Sequence, residues 1–145
     1  MDDEMHVYKT SLKWMSQRRG TLRSPGLPDI VVATPPEFPG GHAGIWSPEH
    51  LFVASAEVCL MTTFLAIAEN SKLGYSEYSS GAEGKLEKTA DGYGITEITI
   101  YPKVLIEDAS QEERVKRVIE KAEKHCLISN SMRSEIKVVA EVLIR

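Results

Sequence analysis

A chain of 145 residues with 42% hydrophobic and 26% charged side chains has the size and composition of an ordinary globular protein, which excludes a disordered, collagen-like or coiled-coil chain. Seventeen Lys and Arg against 21 Asp and Glu leave a net charge of −4, so no basic excess points to nucleic acid or to an anionic membrane. The two cysteines, Cys59 and Cys126, are too few for a disulfide scaffold and too far apart for a CxxC redox or zinc motif.

The N-terminal Met1-Asp2-Asp3-Glu4 is acidic and has neither the basic nor the apolar region of a signal peptide, so a cytoplasmic protein is expected. From Met5 to Trp14 the apolar Tyr8, Leu12 and Trp14 alternate with Lys9, Ser11 and Lys13, the two-residue period of a half-buried strand. Gln17-Arg18-Arg19-Gly20 reads as a connection, and Asp29–Thr34 as a second strand stopped by Pro35-Pro36. Glu37–Gly44, with Pro39, Gly40, Gly41 and Gly44, is a loop.

Ser47-Pro48-Glu49 has the order of a helix start: an N-cap hydroxyl, a proline at the first helical position, and a carboxylate at the positive end of the dipole. The helix is predicted to run from Pro48 to about Asn70 and to stop at Gly74 in a left-handed cap. Its apolar stretch, Leu51–Ala68, is interrupted by Ser55, Glu57, Thr62 and Thr63 and is apolar on nearly all sides. That predicts a helix surrounded by other elements rather than a membrane span.

Tyr75–Ile106 is strand-rich around the turn signal Asp91-Gly92, which predicts a hairpin with Ile95, Ile98 and Ile100 partly buried. The lapse of alternation between Ile95 and Ile98 predicts a bulge or a change of face. Ser110-Gln111-Glu112-Glu113 fits a capping box, and Val115, Val118, Ile119 and Ala122 follow at helical spacing. That amphipathic helix ends in Lys124, His125 and Cys126. Ile136, Val138, Ala140, Val142 and Ile144 alternate as one core-facing strand. No repeat or long linker divides the chain, so residues 1–145 are expected to form a single α+β domain.

On a helical wheel Cys59 is flanked by Phe52, Ser55, Ala56, Thr62, Thr63 and Ala66, and position alone describes a packed thiol. Reactivity requires a cation or donors that hold the thiolate. Glu57 lies about 160° around the helix from Cys59. It is expected to reach solvent or a basic partner at a subunit boundary, with no catalytic role. His6, His42, His50 and His125 show no ligand spacing, so no metal is expected. Phe52, Met61 and Trp46, core residues in the first instance, are candidates to line an apolar pocket beside Cys59.

Two segments go beyond pattern: Ser47-Pro48-Glu49-His50-Leu51-Phe52, with Cys59 ten residues after the glutamate, and His125-Cys126-Leu127-Ile128-Ser129-Asn130. Together they resemble the OsmC/Ohr superfamily of thiol-dependent hydroperoxide reductases over almost the whole chain. Trp46 and the Gly40-Gly41 loop are closer to its general OsmC-like branch. The resemblance implies an α+β fold of antiparallel sheets wrapped around two long helices, in an intertwined homodimer. It implies Cys59 as peroxidatic cysteine, Cys126 as resolving cysteine, Glu49 as the motif carboxylate and Arg18 as the activating arginine, with Arg19 as the alternative. Ser16 and Gln17 stand where the family carries glycines before that arginine. The implied activity is reduction of organic peroxides, and of hydrogen peroxide, without a bound cofactor. An external dithiol such as a lipoylated protein would be the reductant.

The chemistry explains the residue types. A thiolate attacks one peroxide oxygen while the other leaves as alcohol, so a low thiol pKa and a nearby cation are needed. A guanidinium supplies the charge and a carboxylate aims it. The sulfenic acid left on Cys59 then condenses with a second thiol. Glu49 and Cys59 are about 15 Å apart along one helix and about 80° apart around it, so a two-fold dimer joining Glu49 and Arg18 of one subunit to the cysteines of the other is expected. A non-catalytic dimer that binds a small apolar ligand or senses redox state is the second reading. A stress-induced dimer whose groove binds a macromolecule is the third.

Overall fold

Side-chain alternation early in the chain produces three short antiparallel strands, β1 (Ser11–Ser16), β2 (Arg19–Arg23) and β3 (Ile30–Ala33), in the order β1-β2-β3. The computed structural model describes residues 4–145; Met1, Asp2 and Asp3 of the acidic N-terminus lie outside the described residues. Two compact units form, Met1–Leu51 and Phe52–Arg145.

In the first unit the expected four-residue connection shrinks to Gln17-Arg18. Gln17 takes a left-handed φ of 52°, and Arg19 and Gly20 already belong to β2, opposite Ser16 and Trp14. The first strand starts at Ser11 rather than Met5. Leu12 and Trp14, on the edge strand β1, are 67% and 72% exposed rather than half-buried. After Pro35-Pro36 the loop folds back on itself: His42 N–H reaches Thr34 O at 2.9 Å, and a Cβ on Gly41 would lie 1.8 Å from Pro35 O. Only glycine fits that approach.

Helix α1 (Pro48–Asn70) begins as expected, with buried Ser47 Oγ accepting from the His50 N–H at 3.1 Å. It ends at Asn70, as expected, but the left-handed cap falls on Lys72, two residues before the glycine expected to supply it. Lys72 holds the left-handed φ of 54°, with Leu73 N–H on Ala68 O at 2.9 Å and Lys72 N–H on Glu69 O at 3.1 Å. This is the Schellman arrangement with lysine in the place glycine favours, and buried Leu73 supplies its apolar contact.

The second unit is built on a long hairpin, β4 (Glu77–Thr89) and β5 (Gly92–Ile106), whose Gly92 has a φ of 109°. The expected bulge is present: Lys85 pairs Glu97 and Leu86 pairs Ile95, leaving Thr96 as the extra residue. Ile98 and Ile100 thereby face the core fully buried. A single 3-10 turn, Ala109–Gln111, leads into helix α2 (Glu112–Lys124). The cap belongs to Asp108, whose Oδ1 accepts from Ser110 N–H at 2.9 Å and Ser110 Oγ at 2.7 Å, so the predicted capping box at Ser110 does not form. A carboxylate two residues earlier takes up the hydroxyl that the box would have used.

The predicted single C-terminal strand is two, β6 (Glu135–Val138) and β7 (Glu141–Ile144), both parallel to β5 in one register, Ile100 opposite Val138 and Lys103 opposite Glu141. Pro102, which has no N–H, falls opposite the break at Val139-Ala140. Ile136, Val138 and Val142 pack on the core, whereas Ala140 and Ile144 are exposed. The architecture is α+β with two sheets and two helices, as expected, but the second sheet is mixed rather than purely antiparallel.

Ala56, Leu60, Phe64 and Ala68 of α1 pack with Ile98, Ile100, Val104 and Ile106 of β5 and Val115, Ile119 and Ala122 of α2. That makes α1 a core helix on one face, although it is long and apolar enough to cross a membrane. Within the single chain its other side is open: Val58 is 53% exposed and Phe52 is also exposed.

Candidate active site

Helix α1 carries Cys59 on its buried side, and the turn that follows α2 carries Cys126 to it. Cys59 and Cys126 are 8% and 1% exposed, and no disulfide joins them. The turn is held by Asn130, whose N–H reaches Cys126 O at 3.0 Å and whose Nδ2 donates to Lys124 O at 3.2 Å. It leads into a 3-10 turn, Ser129–Ser131.

Burial works against ionisation of Cys59 but is outweighed. The Ile128 amide, the Cys126 thiol, the Thr63 hydroxyl and the Leu127 amide all favour the thiolate and draw Cys59 below the ordinary thiol value. Thr63 Oγ1 lies 3.9 Å from the sulfur, one helical turn along α1. Cys126 goes the other way. Burial pushes it up, Ser129 offsets this through its hydroxyl, at 3.3 Å, and its amide, and Cys59 adds to the rise. The two thiols are thus shifted in opposite directions, Cys59 down and Cys126 up.

The structure brings Cys59 and Cys126 together. Glu49 lies ten residues before Cys59 on α1, with Oε1 out of solvent and without a hydrogen-bond partner. Arg18 and Arg19 belong to the N-terminal unit. Arg18 is exposed in its turn and lies over Gly40, where a Cβ would come within 3.0 Å of its Nε. Arg19 is partly buried, gives Nη2 to Ser16 Oγ at 2.7 Å, and has a buried Nε without a partner. Trp46 packs edge-on to His50 with ring centroids 6.2 Å apart. Phe52 is exposed and Met61 half-buried on α1. Glu57 is partly buried and accepts from the Ser80 hydroxyl of β4 at 2.6 Å, a partner within the chain that the helical wheel does not show.

The donors to Cys59 differ in how far the sequence reveals them. Thr63 was visible as a wheel neighbour. The amides of Leu127 and Ile128 were not, because every non-proline residue supplies one and only tertiary structure aims it.

The family model described as OsmC-like protein matches residues 41–141, which include both cysteines and Glu49. An OsmC-like protein of unknown function from Vibrio cholerae superposes with a TM-score of 0.84 at 24% identity, over 96% of this chain and 100% of that one. An organic hydroperoxide resistance protein from Legionella pneumophila is 26% identical with a TM-score of 0.69, covering 97% and 100%. Another from Elizabethkingia anophelis is 22% identical with a TM-score of 0.77, covering 99% and 100%. No curated protein sequence matches the chain. With a family match over most of its length and the same fold in these relatives, the chain belongs to the OsmC-like protein family.

Proposed function

We propose that the protein is a thiol-dependent peroxidase that reduces organic hydroperoxides, and hydrogen peroxide, to alcohol or water. The carrying observation is the convergence of the Ile128 and Leu127 amides, the Cys126 thiol and the Thr63 hydroxyl on Cys59, which overcomes burial and favours the nucleophilic thiolate. The names of the Legionella and Elizabethkingia relatives support the substrate class.

In this reading the Cys59 thiolate attacks one peroxide oxygen, the O–O bond breaks, and the alkoxide leaves as alcohol after taking a proton. Cys126 then displaces hydroxide from the sulfenic acid, closing a Cys59–Cys126 disulfide. An external dithiol, of which a lipoylated protein is one form, reopens it in a reducing cytoplasm, and no bound cofactor takes part. Arg18 supplies the cation and Glu49 orients it, with Arg19 as the alternative. The unpaired atoms on Arg19 and Glu49 fit groups awaiting a polar partner. A homodimer completes the reading: the exposed Leu12, Trp14, Phe52 and Val58 are apolar surface of the kind a second copy covers.

The test treats reduced protein with one equivalent of an alkyl hydroperoxide, then counts thiols and maps disulfides. Rapid loss of both thiols into a Cys59–Cys126 bond is expected, with Cys59→Ser inert and Cys126→Ser trapped as sulfenic acid. Slow consumption, with both thiols surviving, would favour a ligand-binding or redox-sensing dimer instead. Arg18→Ala and Arg19→Ala assayed side by side identify the activating arginine.

A further inference from the structure

The turn after α2 holds Cys126 in a closed set of hydrogen bonds. Asn130 N–H reaches Cys126 O at 3.0 Å, Ser131 N–H reaches Ile128 O at 2.9 Å, and Met132 N–H reaches Ser129 O at 3.1 Å. The Asn130 and Ser131 side chains tie the turn further, to Lys124 O at 3.2 Å and Leu127 O at 2.8 Å. Both of those side chains bond to backbone. The Ser129 hydroxyl instead donates to the Cys126 sulfur, at 3.3 Å. A thiol is a weak acceptor, whereas a thiolate is a charged one that the same hydroxyl holds about twice as strongly. With Cys126 only 1% exposed, solvent does not supply a donor in its place.

We propose that the Ser129 hydroxyl is the donor that activates Cys126 for its attack on Cys59, remaining on the sulfur as the thiol becomes a thiolate. This deepens the peroxidase reading and rests on it for the biological role of the step, though not for its test. In that step the Cys126–Cys59 S–S bond forms and the S–O bond of the Cys59 sulfenic acid breaks. The Cys126 sulfur is oxidised and the Cys59 sulfur reduced. The departing hydroxide takes up the proton that Cys126 released and leaves as water, while Ser129 keeps its own proton.

Burial and Cys59 push Cys126 above the ordinary thiol value, and the Ser129 hydroxyl and amide pull against them. Ser129→Ala removes the hydroxyl and leaves the amide. A hydrogen bond of ordinary worth changes an ionisation constant about fivefold. Thiolate nucleophilicity follows about half of basicity, so the two consequences for rate oppose each other. Below the Cys126 pKa the thiolate lost outweighs the nucleophilicity gained, and attack slows by about the square root of five, roughly twofold. Above it both proteins are fully thiolate, only nucleophilicity differs, and the alanine variant attacks roughly twofold faster.

One equivalent of methyl methanethiosulfonate at mildly acidic pH caps Cys59, the thiol drawn below the ordinary value, as its methyl disulfide. After a jump to the pH under test, Cys126 displaces methanethiolate. Mass spectrometry of acid-quenched samples then follows closure of the Cys59–Cys126 bond without any peroxide. Capped Cys59 does not titrate, and Tyr78 of β4, whose phenol is pushed up to about 12 by burial and by the charges of Glu57 and Cys126, stays protonated, so the profile reports Cys126. The profiles of Ser129→Ala and the unsubstituted protein are expected to cross, the variant roughly twofold slower at neutral pH and roughly twofold faster at high pH. Ser129→Thr, which keeps a hydroxyl, should follow the unsubstituted protein. Equal rates, a change by one factor at every pH, or a methyl disulfide that Cys126 leaves intact would overturn the proposal. If the unsubstituted protein consumes no alkyl hydroperoxide but the profiles cross, the peroxidase reading falls and the activation of Cys126 by Ser129 stands.

Discussion

Cys59 and Cys126 influence each other's ionisation, and the two cysteines end on opposite sides of the ordinary thiol value. Burial pushes both up. At Cys59 it is overcome by donors from a turn and a helix; at Cys126 it prevails over Ser129.

The first prediction is a split in thiol titration. Alkylation rates followed against pH should give Cys59 a midpoint below the reference value of 9.0 and Cys126 one above it. The stability signs follow. Because the folded value of Cys59 is depressed, its contribution is present above the unfolded value and is lost as pH falls through the folded one. Because that of Cys126 is raised, its contribution is present below the unfolded value and is lost as pH rises through the folded one. With the two trends opposed, urea midpoints of the reduced protein should decline with rising alkaline pH in Cys59→Ser, where only the raised thiol remains, and should not decline in Cys126→Ser. Coincident titration of the two thiols would refute the assignment.

Removing the donor should weaken the thiolate. Cys126→Ala is expected to raise the Cys59 pKa and slow its alkylation at neutral pH roughly fivefold, the effect of about 1 kcal/mol. Cys126→Ser, which keeps a hydroxyl donor, should lose less. Mass spectrometry of alkylated Cys59 peptides reads both, and an unchanged rate in the alanine variant would assign the work to the amides alone.

Gly84 fixes how closely α1 lies on β4. A Cβ there would come 2.4 Å from Val53 Cγ2, and the β-branched valine has little rotamer freedom with which to withdraw. Gly84→Ala should cost about 1–3 kcal/mol in urea unfolding. Combining it with Val53→Ala should cost less than the two single changes summed, since the second removes the obstructing methyl groups.

Lys72 occupies the left-handed position at the end of α1. Lys72→Gly relieves the strain of a side chain at positive φ while adding freedom to the unfolded chain, for a net gain of about 0.5–1 kcal/mol. Thermal unfolding measures it; a lower midpoint would mean that the lysine side chain contributes more than its backbone costs.

Sequence by itself determined what nearest neighbours encode. The Ser47 cap, the turn at Asp91-Gly92, the bulge at Thr96 and the buried face of α2 all appear where local pattern puts them, because each depends on residues a few positions apart. The two motif segments also led to the family. Tertiary structure decided the rest. The α1 cap fell to Lys72 because packing of Leu73, not glycine's freedom, sets where the chain turns. The last strand broke because Pro102, on a neighbouring strand, offers no N–H. Glu57 found Ser80, Tyr78 was left without a partner, and the amides of Leu127 and Ile128 were aimed at Cys59. Each of these depends on groups far apart in the chain whose meeting carries no local signature, and backbone donors carry none in any sequence.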